Sequence, residues 1–115
     1  GTELFAGVKK EDNLGHIILL GLGGIFIEIL KDVSYAMAPV SKAESYTMMS
    51  ELRSHKLLDG VRKQSGIDKE KFANIIVSLS ALVNAAPEIT ELDLNPLLGK
   101  EDSVVAVDAR IAIEK

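Results

Sequence analysis

Phe72, Ile75, Ile76, Leu79, Leu82 and Val83 recur at helical spacing between Asp68 and Pro87. That spacing predicts one amphipathic helix, with Asp68 as its N-cap and its end before Pro87. A stripe of this length has to be buried against something, and the segments on either side are patterned as strands. Residues 4–8, 17–20, 25–30 and 33–38 read as strands, with a polar turn over 9–13 and Asp32 near the last turn. The 17–20 run reads as buried on both faces, and Gly21-Leu22-Gly23-Gly24 breaks it. Residues 89–98 and 103–113 read as a closing hairpin around a turn at 99–102. A second helix is expected from Ser41, with Glu44 completing a capping box and Tyr46, Met49 and Leu52 on its core face. Leu57-Leu58-Asp59-Gly60 follows as a turn or small helix. The expected fold is α+β, a mainly antiparallel sheet with two or three helices packed on one face, in a single domain over residues 1–115.

Composition narrows the function classes. The net charge is −4 and no basic stripe is visible, which argues against a nucleic-acid partner. The chain has no cysteine, so disulfides and thiolate chemistry are excluded, in agreement with a cytoplasmic location. The most apolar stretch, residues 17–30, is interrupted by glycines and Glu28 and is too short for a bilayer, so no membrane partner is expected. Both ends fall next to strand patterns, which leads to the expectation of a piece cut from a longer protein.

The closing hairpin carries the chemistry. With a four-residue loop at 99–102, Leu94 faces Val107, Leu92 faces Ala109 and Pro96 faces Val105, all apolar and on one face. The other face then pairs Glu91 with Arg110 as an ion pair, Asp93 with Asp108, and Asn95 with Ala106. A shift by one residue would put charges on the core face. Opposed carboxylates destabilise a sheet unless a cation sits between them, and carboxylate and amide oxygens are what Mg²⁺ prefers. Pro96 biases Asn95 towards an extended backbone that keeps its side chain on the carboxylate face. The same three residues could equally be solvated groups on an exposed face.

At these residues a resemblance appears. Glu91-Leu92-Asp93-Leu94-Asn95-Pro96-Leu97 with Val107-Asp108-Ala109-Arg110-Ile111 resembles the end of the ATP-grasp domain of the NDP-forming acyl-CoA synthetases. Gly1-Thr2-Glu3-Leu4 with Gly7, Gly21-Leu22-Gly23-Gly24-Ile25-Phe26-Ile27-Glu28 with Asp32, and Leu57-Leu58-Asp59-Gly60-Val61-Arg62 are similar to the same family in the same order. The family also includes, more distantly, the beta subunit of succinyl-CoA synthetase. The resemblance implies the C-terminal lobe of an ATP-grasp module. Asn95 and Asp108 then hold Mg, and Asp93 lies near the metal and the transferred phosphoryl group as a catalytic residue. It implies ATP or ADP as nucleotide, and CoA in the complete enzyme. Phosphate passes through a histidine on another domain to an acyl group, which CoA then takes as acyl-CoA. The implied partners are the N-terminal ATP-grasp lobe and the CoA-binding and phosphohistidine domains, and this piece alone is expected to be inactive. A different implication is a regulatory, ligand-sensing lobe fused to a lysine acetyltransferase. The chain departs from the family at Leu14-Gly15-His16, where Phe-Gly-Pro is usual, and at Arg62-Lys63, where Arg-Gly is usual.

Other residues leave two readings each. Gly23 and Gly24 form either a tight connection that needs positive φ or part of a nucleotide or domain face. Glu28 either points outward or lies at that face. Arg62 is an exposed loop cation or a phosphate ligand. His16 is expected at the solvent or the sheet edge, and His55 at a helix end; neither is expected to carry phosphate.

Overall fold

In the computed structural model, residues 1–61 and 64–114 are described. The two longer helices begin where capping chemistry places them. Ser41 precedes α2 (Lys42–Ser50) and forms both bonds of the capping box with Glu44, each 3.1 Å. Asp68 precedes α4 (Lys69–Ala85) and accepts from the Lys71 N–H. Phe72, Ala73, Ile76, Leu79, Ser80 and Val83 are the buried side of α4, whereas Leu82 is 41% exposed and lies off the core stripe. Tyr46 is likewise outside the core of α2, which is made by Met48 and Met49 with Leu52 just beyond. A buried hydrogen bond of 2.8 Å from the Val40 N–H to the Ser80 hydroxyl ties the segment just before α2 to α4.

These helices cover one face of an antiparallel sheet. Its strands are β1 (Thr2–Glu11), β2 (Gly15–Leu22), β3 (Val33–Met37), β6 (Ile89–Gly99), β7 (Val104–Ala106) and β8 (Ala109–Ile113). The order is β3-β2-β1-β6-β7, with β8 also paired to β6. Leu4, Ala6 and Val8 of β1, Ile18, Leu20 and Leu22 of β2, and Ile89, Leu92 and Leu97 of β6 point at the helices and form the core. Two single-turn helices, α1 (Ile25–Glu28) and α3 (Lys56–Asp59), and a small ladder, β4 (Gly60–Val61) with β5 (Gln64–Ser65), complete the fold.

Several expectations are corrected. Residues 25–30 are not a strand: Gly24 at φ 61° turns the chain out of the sheet into α1, and Ile29 is 71% exposed. A short apolar run does not distinguish strand from helix, and here the run is not a core segment. The polar turn at 9–13 is shorter than expected, because β1 continues to Glu11 and the reversal uses Asn13 at φ 63°. The 17–20 run is buried on the helix face only; Ile17 and Leu19, on the other face, are half-buried. His16 is not at the solvent edge. It is buried, with Nε2 2.7 Å from the carbonyl oxygen of Ile89.

The closing hairpin is the correction that matters most. Gly99 pairs with Val104, not Leu98 with Ser103, and the loop is closed by the Lys100 N–H donating to the Ser103 carbonyl at 2.8 Å. Every pair is therefore displaced by two residues. Asp93 faces Arg110 rather than Asp108, and Glu91 faces Ala112, so the expected Glu91–Arg110 ion pair is not formed. Apolar alternation rules out an odd slip, which turns every side chain over, but an even slip leaves the pattern unchanged.

Candidate functional site

The backbone sets Asn95 opposite Asp108, with Asp93 two residues earlier on β6 and facing Arg110, so the expected pairing is not the one formed. The Asn95 N–H donates to the Asp108 carbonyl at 3.2 Å, and the Val107 N–H donates to the Pro96 carbonyl at 3.0 Å. Asn95 is thus opposite Asp108, where β7 gives way to β8. Strand alternation sets Asp93 on the same side of β6 as Asn95, away from the helices. Pro96 follows Asn95 through a cis peptide bond at a bulge, where β6 spends one more residue between Leu94 and Leu97 than β1 does between Ala6 and Leu4. Proline, which has no N–H for the ladder, belongs at such a position.

The three groups differ in environment. Asn95 and Asp108 are exposed, and one Asp108 oxygen already accepts from the Ala109 N–H at 2.9 Å. Asp93 is half-buried. Its carboxylate lies over Gly7, with Oδ1 3.1 Å from the position a Cβ on Gly7 would occupy. Partial burial pushes the Asp93 carboxyl above the usual carboxylate range and the Glu91 charge adds to this, while Arg110 opposes both. One amide and two carboxylate side chains make a hard-oxygen donor set that fits Mg²⁺ better than a soft or imidazole-preferring metal.

The remaining candidates lie elsewhere. Gly23 is buried beside Glu3, whose carbonyl accepts the Gly23 N–H at 2.8 Å, and a Cβ there would come within 3.2 Å of Glu3 Cβ. Gly24 has the positive φ that the tight-connection reading requires. β1 separates both from β6, and Gly23 lies level with Leu98 rather than Asn95, so strand spacing and rise put them well over about 10 Å from Asn95. Glu28 ends α1 and is exposed. Arg62 lies outside the described residues. A concavity of about 830 Å³ opens at the sheet end between Leu22, Phe26, Leu57 and the 100–102 loop. A smaller one of about 300 Å³ lies at Asp93 and Arg110. Each is lined by two carboxylates, Glu101 and Asp102 in the first and Glu91 and Asp93 in the second, and Asn95 and Asp108 line neither.

Sequence reasoning passed over two residues. Gly7 sat in a quoted motif without a role, although a glycine inside a strand signals close approach of another group. Asp32 is buried and accepts from the N–H groups of Arg53 and Ser54 at 2.8 and 2.9 Å and from the Ser54 hydroxyl. Burial alone would raise its pKa. The Ser54 hydroxyl, the two N–H donors and the Arg53 charge outweigh that and hold the carboxyl below its ordinary value.

The chain matches the family model of the ATP-grasp domain over residues 1–113. It is 41% identical over 113 residues to the beta subunit of acetate–CoA ligase [ADP-forming] I of Pyrococcus furiosus, covering 98% of this chain and 49% of that subunit. It is 45% identical over 101 residues to 4-hydroxybutyrate–CoA ligase [ADP-forming] of Nitrosopumilus maritimus, covering 88% of this chain and 14% of that protein. Among solved structures, it superposes with a TM-score of 0.95 and 33% identity on the Ca. Korarchaeum cryptofilum dinucleotide forming acetyl-coenzyme A synthetase 1 in complex with coenzyme A, Ca-AMPCP and HgCl+. That match covers 99% of this chain and 50% of the other. The chain thus spans about half the length of the beta subunit, and a smaller share of the longer relative.

Proposed function

Because this chain belongs to the ATP-grasp domain family, we propose that it is the metal- and phosphate-binding lobe of an ADP-forming acyl-CoA ligase. The observation that carries the reading is the backbone bond from Asn95 to Asp108, which sets an amide and a carboxylate opposite each other, with Asp93 on the same side of β6. Asn95 and Asp108 hold Mg²⁺, and Asp93 lies beside the transferred phosphoryl group. The bound metal supplies charge neutralisation for that group. The chain's own residues orient oxygen donors, and the partial burial of Asp93 keeps one of them out of bulk water. Gly23, Gly24, Glu28 and Arg62 are assigned to the nucleotide and domain face on the resemblance.

The activity needs the rest of the protein. An N-terminal ATP-grasp lobe closes the nucleotide cleft, a phosphohistidine on another domain carries the phosphate, and CoA takes the acyl group from an acyl phosphate. A cytoplasmic location follows from those substrates. The test is acyl-CoA formation by the intact protein. Asp108→Ala and Asn95→Ala should each raise the Mg²⁺ concentration needed for half-maximal rate. An unchanged Mg²⁺ requirement in both variants would refute the site.

A further inference from the structure

We infer that Arg110 contacts phosphate in this site and that Gly7 is the positioning residue that leaves it free to do so, an inference that rests on the reading just given of Asp93, Asn95 and Asp108. Gly7 of β1, Asp93 of β6 and Arg110 of β8 form one row across three adjacent strands. A directly opposed aspartate and arginine ordinarily pair. Here they do not: among the described residues Arg110 makes no ion pair, and it is exposed. The Asp93 carboxylate leans the other way, over Gly7, where a Cβ would meet its Oδ1 at 3.1 Å and the Leu92 carbonyl oxygen at 3.0 Å. The row is therefore split, with carboxylate oxygens over β1 and an unpaired guanidinium over β8. Between them lies the 300 Å³ hollow lined by Glu91, Asp93, Arg110, Ile111 and Ala112.

This split selects for a ligand that carries both charges. A bare divalent cation meets the guanidinium, and a bare polyphosphate meets Asp93 and Glu91. A nucleoside polyphosphate with its cation satisfies both halves, the cation at the acidic side and a phosphate oxygen on the planar donor fork of Arg110. The row thus favours the metal–nucleotide complex over either component alone.

The experiment measures binding of Mg-AMPPCP, of AMPPCP with chelator and of Mg²⁺ alone to the intact protein by calorimetry. Arg110→Ala should weaken Mg-AMPPCP about tenfold or more without weakening Mg²⁺ alone, and Arg110→Lys should restore only part of the loss. In Gly7→Ala the new Cβ crowds both the Leu92 carbonyl oxygen and Asp93 Oδ1, and the carboxylate, the freer of the two, gives way towards Arg110. That variant should also lose affinity, and Gly7→Ala/Arg110→Ala should bind no worse than Arg110→Ala alone. Wild-type affinity in Arg110→Ala, or losses that multiply in the double variant, overturns the inference. If Gly7→Ala does not fold, the contrast between Arg110→Ala and Arg110→Lys decides it. Asp108→Ala separates the two levels: loss of Mg²⁺ dependence there, with Arg110→Ala unaffected, keeps the function and discards the role of Arg110. An unchanged Mg²⁺ requirement in both Asp108→Ala and Asn95→Ala removes both.

Discussion

The Asp32 carboxylate accepts both the backbone N–H of Ser54, at 2.9 Å, and the Ser54 hydroxyl. With the Arg53 N–H on its other oxygen, it caps the turn at 53–55 from across the fold and ties the start of β3 to the segment after α2. Asp32→Ala leaves those donors unsatisfied and should destabilise the chain by about 3 kcal/mol, measured by urea unfolding at pH 7. The folded carboxyl lies below its unfolded value, so this contribution is complete above the unfolded pKa and disappears as the pH falls through the folded one. The gap between wild type and variant should therefore narrow in strongly acidic solution; a gap independent of pH would show that the charge is irrelevant.

Asp93 has the opposite sign. Its folded pKa is raised, so ionising it costs the folded state, and metal-free stability should decline as the pH rises from the unfolded to the folded value. Asp93→Asn should stabilise the metal-free chain at pH 7, by less than about 1 kcal/mol because solvent screens the group. A loss of stability on that substitution would count against the assigned environment.

The α4 stripe is tested by comparing two large apolar positions. Phe72→Ala empties a fully buried site and should cost about 3–5 kcal/mol, whereas Leu82→Ala, on the exposed side, should cost under about 1 kcal/mol. Equal losses in thermal unfolding would contradict the observed rotation of the helix.

Ser80→Ala removes the hydroxyl that accepts the buried Val40 N–H and should cost about 1–3 kcal/mol. Amide exchange at Val40 should quicken in parallel. Unaltered exchange would place the anchor elsewhere.

What the sequence made legible was whatever short-range chemistry decides. Ser41 with Glu44, and Asp68 with the stripe behind it, located both longer helices because capping and periodicity act within a few residues. The α+β class followed from the change of period between segments, and the placing of Asp93 and Asn95 on one side of β6 followed from alternation. Three features were not legible. Residues 25–30 have no periodicity to separate helix from strand, and Gly24 decides it. His16 is polar by type, but its carbonyl partner Ile89 lies far along the chain. The partner of Asp93 depends on hairpin register, to which alternation is blind in steps of two.

That last blindness gives the hairpin tip an unexpected authority. Sliding β6 two places against its neighbours would leave the hydrophobic layer undisturbed yet exchange the guanidinium opposite Asp93 for a second acid. The slide is opposed at the far end, where Lys100 is clasped by Ser103 and its carbonyl is held by the Asp68 N–H at 2.7 Å. A helix cap and a surface turn thereby choose the electrical character of a spot several residues away, and sequence changes at that turn can retune the site without touching it.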